Sequence, residues 1–138
     1  MTLGYNELGG ISGVSVDARE LRDAKGASVR GVLVEVTQSQ YREERAFIDV
    51  DELPELLKGI DALMAVRENP TQFTQFEVRY TTKGELQITA FNNSRGQIQY
   101  AVKAGRVTPA HVFTDAEGVR LLRTQFEKAQ QILSSPAR

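Results

Sequence analysis

The sequence predicts a single α+β domain in which a strongly curved antiparallel sheet, or two facing sheets, packs against two helices. Apolar residues first alternate with a period of two and then recur at spacings of three and four, and this change of period occurs twice along the chain. The chain has 138 residues, of which 41% are hydrophobic, so it can bury a core without disulfides or metal. We expect one domain over residues 14–138, with halves at about 14–68 and 73–134.

The N-terminal segment, residues 1–13, shows no sustained period and contains four glycines. We expect it to be a flexible lead or a weak edge segment.

Strand patterns then begin at Val14. An apolar alternation runs toward Leu21, and residues 23–26 predict a turn. The next strand points Val32, Val34 and Val36 to one side. A hairpin at residues 38–40 would connect it to a further strand over 41–50.

A helix near 51–67 follows, because six apolar residues fall on one helical face. Asp51 is the predicted N-cap, and Pro54 is tolerated in the first turn, where backbone amides lack intrahelical partners. Asn69 and Pro70 predict the end of this helix. The apolar face consists of Leu53, Leu56, Leu57, Ile60, Leu63 and Met64.

The second half repeats this plan with strand patterns at 76–81, 86–91, 98–102 and 107–113. Lys83 and Gly84 predict a turn. Thr114 and Glu117 match a capping box, which predicts a helix near 115–133. Its inward residues would be Val119, Leu122, Phe126, Ala129 and Leu133.

An internal duplication would explain this repetition. Shifting the chain by 66 residues aligns Val34 with Tyr100, Phe47 with Phe113, and the apolar faces of the two helices. The alternative is that any two units with the same periods superimpose at some offset.

Composition excludes several functional classes. The chain contains 17 Lys and Arg, 18 Asp and Glu, and no Cys, so its net charge of -1 argues against a bulk polyanion binder, and no cysteine chemistry is possible. No stretch is long enough to cross a bilayer, and no signal peptide is evident. Two cellular locations agree with the sequence: a soluble protein of the cytoplasm, or a periplasmic or secreted protein whose leader has been removed.

No catalytic or metal motif emerges from the sequence. His111 is the only histidine, and its strand position favours a half-exposed structural residue. Carboxylates between residues 43 and 55 match no calcium loop, and helix capping accounts for those near 51–55. The segment 9–13 lacks the strand, lysine and helix of a phosphate loop. We therefore predict no cofactor, no metal and no enzymatic activity.

The outer face of the second predicted sheet is the candidate binding surface. Residues 69–113 contain five bases and two acids, whereas residues 49–68 contain six acids and two bases. The outward side chains are polar and hydrogen-bonding, and Phe91 is the one aromatic clearly on this register. The predicted binding residues are Arg79, Thr81, Gln87, Thr89, Gln97, Gln99 and Lys103.

Two resemblances accompany this pattern. The layout from Val14 to Leu133, several strands and a helix repeated twice, resembles the architecture of Whirly, PUR-alpha and related single-strand-binding folds, without a matching binding motif. The segments 46–57 and 76–84 resemble small, uncharacterised bacterial proteins, often exported, and that resemblance implies no activity.

Three functions therefore stand as expectations, in order. The first is a non-enzymatic binding or interaction domain that recognises a protein or glycan through the polar sheet face. The second is a single-stranded nucleic-acid-binding module that uses the same face. The third is a small hydrolase or isomerase with an unrecognised site. Pairing of sheet edges between copies, which would form a homo-oligomer, also agrees with the sequence.

Overall fold

The computed structural model describes residues 1–134, which form two four-stranded antiparallel sheets, each followed by a helix. This confirms the predicted α+β class. The first sheet has the order β1 (Thr2–Ile11), β2 (Val14–Arg22), β3 (Ser28–Ser39), β4 (Arg42–Asp49), and the second has the order β5 (Glu77–Thr81), β6 (Leu86–Asn92), β7 (Ile98–Ala104), β8 (Ala110–Thr114). The helices are α1 (Leu53–Met64) and α2 (Ala116–Leu133). Residues 135–138, at the end of the predicted domain, lie outside the described residues.

One hydrophobic core holds both halves together. Every second residue of the central strands faces inward, and the apolar faces of the helices cover these inner faces of the sheets. The buried cluster contains residues of both sheets and both helices, among them Val16, Val34, Ile48, Ile88, Val102, Leu56, Ile60, Leu122 and Phe126. The two halves therefore share a core.

Residues 2–11 form the edge strand β1, so the structure agrees with the expectation of an edge segment and not with that of a flexible lead. β1 pairs with β2 from Thr2 opposite Arg22 to Ile11 opposite Val14. A bulge lies between Glu7 and Gly9, and Gly9 has a positive φ of 97°. This extra residue shifts the alternation of side chains, so no sustained period is visible in the sequence.

The start of α1 differs from the prediction. The chain makes a 3-10 turn at Val50–Glu52, and the capping carboxylate is that of Asp49, which accepts a hydrogen bond from the Asp51 amide at 3.0 Å. The α-helix then begins at Leu53 and ends at Met64 instead of spanning 51–67.

The cap of α2 also differs from the predicted capping box. Thr114 still belongs to β8, where it pairs with Tyr100, so its backbone is committed to the sheet. The next residue, Asp115, is the N-cap and accepts a hydrogen bond from the Gly118 amide at 2.9 Å. β8 likewise begins at Ala110 and not at Val107, whose side chain is 92% exposed.

A linker of irregular structure, residues 65–76, connects the two halves. The Asn69 side chain accepts a hydrogen bond from the Thr71 amide and donates one to the Phe73 carbonyl. At the end of the linker, the Asn92 side chain accepts from the Phe76 amide at 3.1 Å and donates to the Thr74 carbonyl at 2.8 Å. Asn92 therefore fixes the linker to β6.

Among the described residues, no helix combines the length and the apolarity needed to span a membrane.

The glycine in α1 is required by a close contact with β5. A Cβ on Gly59 would lie 2.7 Å from the Cγ and Cε2 atoms of Tyr80 and closer still to Cδ2. The ring therefore lies directly on the helix backbone. Burial in this position, together with the charges of Glu52 and Glu55, raises the pKa of the Tyr80 hydroxyl above its ordinary value of 10.0.

We predict that Gly59→Ala lowers the free energy of unfolding by about 1–3 kcal/mol, because overpacking against Tyr80 outweighs the gain of about 1 kcal/mol in helix propensity. Urea unfolding measures this change. In a Tyr80→Leu background, the same substitution should become neutral or stabilising. If Gly59→Ala stabilised the otherwise unchanged protein, the ring contact would not be the reason for the glycine.

An ion pair joins the two helices. Arg123 on α2 donates from Nε to Oδ1 of Asp61 on α1 at 2.6 Å and from Nη2 to Oδ2 at 3.1 Å, and its Nη1 donates to Glu127 at 2.7 Å. The hydrogen bond from Arg123 holds the pKa of Asp61 below its ordinary value of 3.8.

We predict a coupling free energy of about 0.2–1 kcal/mol between Asp61 and Arg123 in a double-mutant cycle with alanine, because the pair is solvent-accessible. The folded-state pKa of Asp61 is lowered, so its contribution is complete above about pH 5 and is lost as the pH falls through that pKa. Urea unfolding at several pH values measures it. Arg120→Ala is the matched control, and equal coupling of Asp61 to Arg120 would contradict a specific pair.

Candidate functional site

The outward side chains of the second sheet form three rows across the strands. Strand register places Glu77, Phe91 and Gln99 in the first row, Arg79, Thr89, Ala101 and Phe113 in the second, and Thr81, Gln87, Lys103 and His111 in the third. We call these residues the β5–β8 outer face. Their order follows from the antiparallel pairing, in which residues directly opposite each other share a face of the sheet.

The face contains a depression of about 270 Å³. Four of the predicted binding residues line it, namely Arg79, Gln87, Thr89 and Lys103. Thr81 and Gln99 lie on the same face but do not line the depression, and Gln97 precedes β7. The remaining lining residues are Glu77, Phe91, Ala101, His111 and Phe113.

Polar contacts already use part of this surface. Arg79 donates from Nε and Nη2 to Glu77 at 2.9 and 2.5 Å, so its charge is partly neutralised. Gln87 donates to Thr81 Oγ1 at 3.0 Å. Gln97, by contrast, accepts a hydrogen bond from the Asn93 side chain in the β6–β7 turn. This contact holds Gln97 in the turn.

Lys103 is differently placed from Arg79. It lies in the third row between Gln87 on β6 and His111 on β8. None of the ion pairs formed within residues 1–134 involves Lys103. Its ammonium group is therefore a cation that an anionic ligand on this face can reach without displacing a carboxylate.

Three aromatic rings, from β6 and β8, meet on the face. The centroid of the Phe113 ring lies 5.9 Å from that of Phe91 and 5.2 Å from that of His111, both in edge-to-face geometry. Phe113 is 65% exposed, although Thr89, two strands away in the same row, is only 9% exposed. The rings thus form a cluster that presents aromatic surface to solvent beside the depression.

His111 and Phe113 are the members of the site that sequence reasoning missed. Ala110 and Val112 alternate with them, and a strand with apolar residues in both registers does not reveal which side faces the core. One signal in the sequence relates the two halves, because the 66-residue shift aligns Phe113 with Phe47. In the structure both rings point outward, and Phe47 lies in the same row as Asp17 and Leu33 of the first sheet.

The outer face of the first sheet has the opposite charge. Its strands place acids outward at Glu7, Asp17, Glu35, Glu43 and Asp49, and bases at Arg19 and Arg45. The β5–β8 outer face has two bases, Arg79 and Lys103, and one acid, Glu77. An anionic ligand is therefore favoured on the second sheet and disfavoured on the first.

Asp61, Tyr80 and Arg123, whose pKa values are shifted, lie outside the β5–β8 outer face. The backbone amide of His111 donates to the Gln38 side chain at 3.2 Å, which fixes β8 against β3. No group of three or more His, Asp or Glu side chains among residues 1–134 is placed to hold a metal ion.

Comparisons with known proteins leave the site to be interpreted from its own geometry. No protein-family model matches the sequence, and a search of curated proteins finds no significant match.

Proposed function

We propose that the chain is a non-enzymatic binding module that takes single-stranded nucleic acid on its β5–β8 outer face. The observation that supports this best is the exposed contact between Phe113, Phe91 and His111 beside Lys103. Single-strand binding combines aromatic side chains, on which bases stack, with cations that neutralise the phosphates. Both kinds of group are present on this one face.

The base would stack on this aromatic cluster. Phe113 has the largest free surface of the three rings, and Phe91 and His111 hold it from the side. Stacking on an aromatic ring contributes about 1–3 kcal/mol per base and tolerates any base. We therefore expect little sequence preference.

The phosphates would contact Lys103 and Arg79. Arg79 lies on β5 and Phe113 on β8, three interstrand spacings or about 14 Å apart. A nucleic-acid strand that reaches both must therefore run across the β-strands. Between them, the Gln87 side chain on β6 offers a hydrogen-bonding group to the sugar and base edges, whereas Thr89 is largely buried.

The affinity should be modest and should depend on salt. With two cations on the face, the logarithm of the association constant should fall with the logarithm of the salt concentration with a slope of about −1.4, since each phosphate contact contributes about −0.7 for a single strand. The resemblance of the layout to single-strand-binding folds agrees with this proposal.

The test is fluorescence anisotropy of a labelled oligothymidine of about 12 nucleotides, within the usual range of site sizes, at low salt. We expect Phe113→Ala to weaken binding about fivefold or more, because it removes the stacking surface. Lys103→Gln should reduce the magnitude of the salt slope by about 0.7. Glu77→Gln should strengthen binding, because it releases the Arg79 guanidinium from its ion pair.

Matched controls come from the same chain. Phe73→Ala removes an aromatic ring that is 78% exposed but lies in the linker, and Lys128→Gln removes an exposed cation on α2. Neither should change binding. Equal losses for Phe73→Ala and Phe113→Ala, or no anisotropy change up to about 100 micromolar protein, would refute the proposal.

A protein or glycan partner on the same face is the second candidate. It is favoured by the neutral hydrogen-bonding side chains of this face, which are Thr81 and Gln87 in the third row and Gln99 in the first row. In that case the oligonucleotide would not bind, and the double variant Arg79→Glu with Lys103→Glu would release a specific partner captured from the cells of origin. Retention of that partner by the double variant would exclude the face.

A further inference from the structure

We propose that the free edge of β1 pairs in antiparallel fashion with the same edge of a second copy of this chain. β1 is the terminal strand of the first sheet, and β2 occupies one of its edges only. Within residues 1–134, no backbone hydrogen bond outside the β1–β2 ladder involves residues 2–11. The edge therefore offers a row of free amide and carbonyl groups to another strand.

The other three sheet edges are less accessible. β8 lies beside β3, where the Gln38 side chain accepts a hydrogen bond from the His111 amide. β4 meets the β5–β6 turn, because Gly84 lies in close contact with the Phe47 carbonyl. β5 has only five residues, Glu77–Thr81, half the length of β1. Their position or length makes these edges poor templates for a second chain.

α2 packs against β1 as well as against β2 and β3, but β1 lacks most of the other features that protect an edge strand. It has ten residues, with one charged side chain, Glu7, and neither lysine nor proline. Its bulge lies at Glu7–Gly9, so residues 2–7 are regular, and all six are exposed. Long exposed edges of low charge are the ones that pair between chains.

The side chains favour one register, with Gly4 on the twofold axis. Leu3 of one copy then lies opposite Tyr5 of the other, and these side chains are 45% and 58% exposed in the single chain. The pairing would bury them against each other and extend an apolar row that already contains Leu21 and Val29.

The same register has room at its centre and keeps the charges apart. A Cβ on Gly4 would have no neighbour within 4 Å, so the face of the sheet is open at this position and a side chain can be introduced there. Glu7 of one copy would lie opposite residue 1 of the other. The two Glu7 carboxylates would therefore be separated by about 20 Å along the strands.

Such a dimer would have one continuous eight-stranded sheet made of two first sheets. The β5–β8 outer faces belong to the other sheet of each copy and would stay free. Two faces per assembly would raise the apparent affinity for a ligand long enough to reach both.

Sedimentation velocity over a range of protein concentrations tests the assembly, and single-cysteine crosslinking tests the register, because the chain has no native cysteine. We expect a monomer–dimer equilibrium and at least a tenfold higher dissociation constant for Leu3→Lys with Tyr5→Lys. Gly4→Cys should form an intermolecular disulfide, because Cα atoms directly opposite each other in an antiparallel pair lie about 4.5–5.5 Å apart.

Two controls match these variants. Val107→Lys adds a charge at a side chain that is exposed but lies in the β7–β8 loop, and Ser94→Cys places a thiol in the exposed β6–β7 turn. The first should leave the dimer unchanged, and the second should crosslink at least tenfold more slowly than Gly4→Cys. A monomer at all concentrations, a dimer insensitive to Leu3→Lys with Tyr5→Lys, or equal crosslinking at both sites would overturn the proposal. These results do not depend on whether the β5–β8 outer face binds nucleic acid.

Discussion

Burial of two helices against two sheets in one shared core is the constraint on which the rest of this structure depends. The apolar faces of α1 and α2 pack against the inner faces of the strands. Aliphatic and aromatic side chains therefore fill the interior. The contact of Gly59 with Tyr80 shows how close this packing is. Among residues 1–134, most polar and charged groups therefore lie on the outer faces and edges, and Thr82, Thr89 and Gln125 are buried exceptions.

The parts of the fold that the sequence predicted are those in which one side of an element is apolar. Both helices and the central strands β3, β6 and β7 meet this condition, and their inward residues agree with the structure. Element ends were less predictable. The N-caps are Asp49 and Asp115, but the nearby Asp51 and Thr114 are equally suitable N-caps by residue type. Only the point at which the preceding strand ends distinguishes the two candidates at each helix.

Only part of the candidate site could be predicted from the sequence, for a related reason. The polar residues of β5, β6 and β7 alternate with apolar ones, so Arg79, Gln87, Thr89 and Lys103 could be assigned to one face. β8 gives no such contrast, and the rings that complete the site belong to it. Phe47 and Phe113 illustrate the difference between the halves: Phe47 lies against Gly31, where a side chain would collide with its ring, whereas Phe113 stands opposite Ala101 and keeps its surface free.

The linker at residues 65–76 has a further consequence for how this architecture can vary. Asn92 secures its end, and its middle is held only by local hydrogen bonds around Asn69, with Phe73 at the surface. Because the free energy of closing a loop grows only slowly with its length, extra residues inserted near Phe73 would leave the shared core in register. This is the point at which a whole additional module can be grafted into the chain while the geometry of both sheets is preserved.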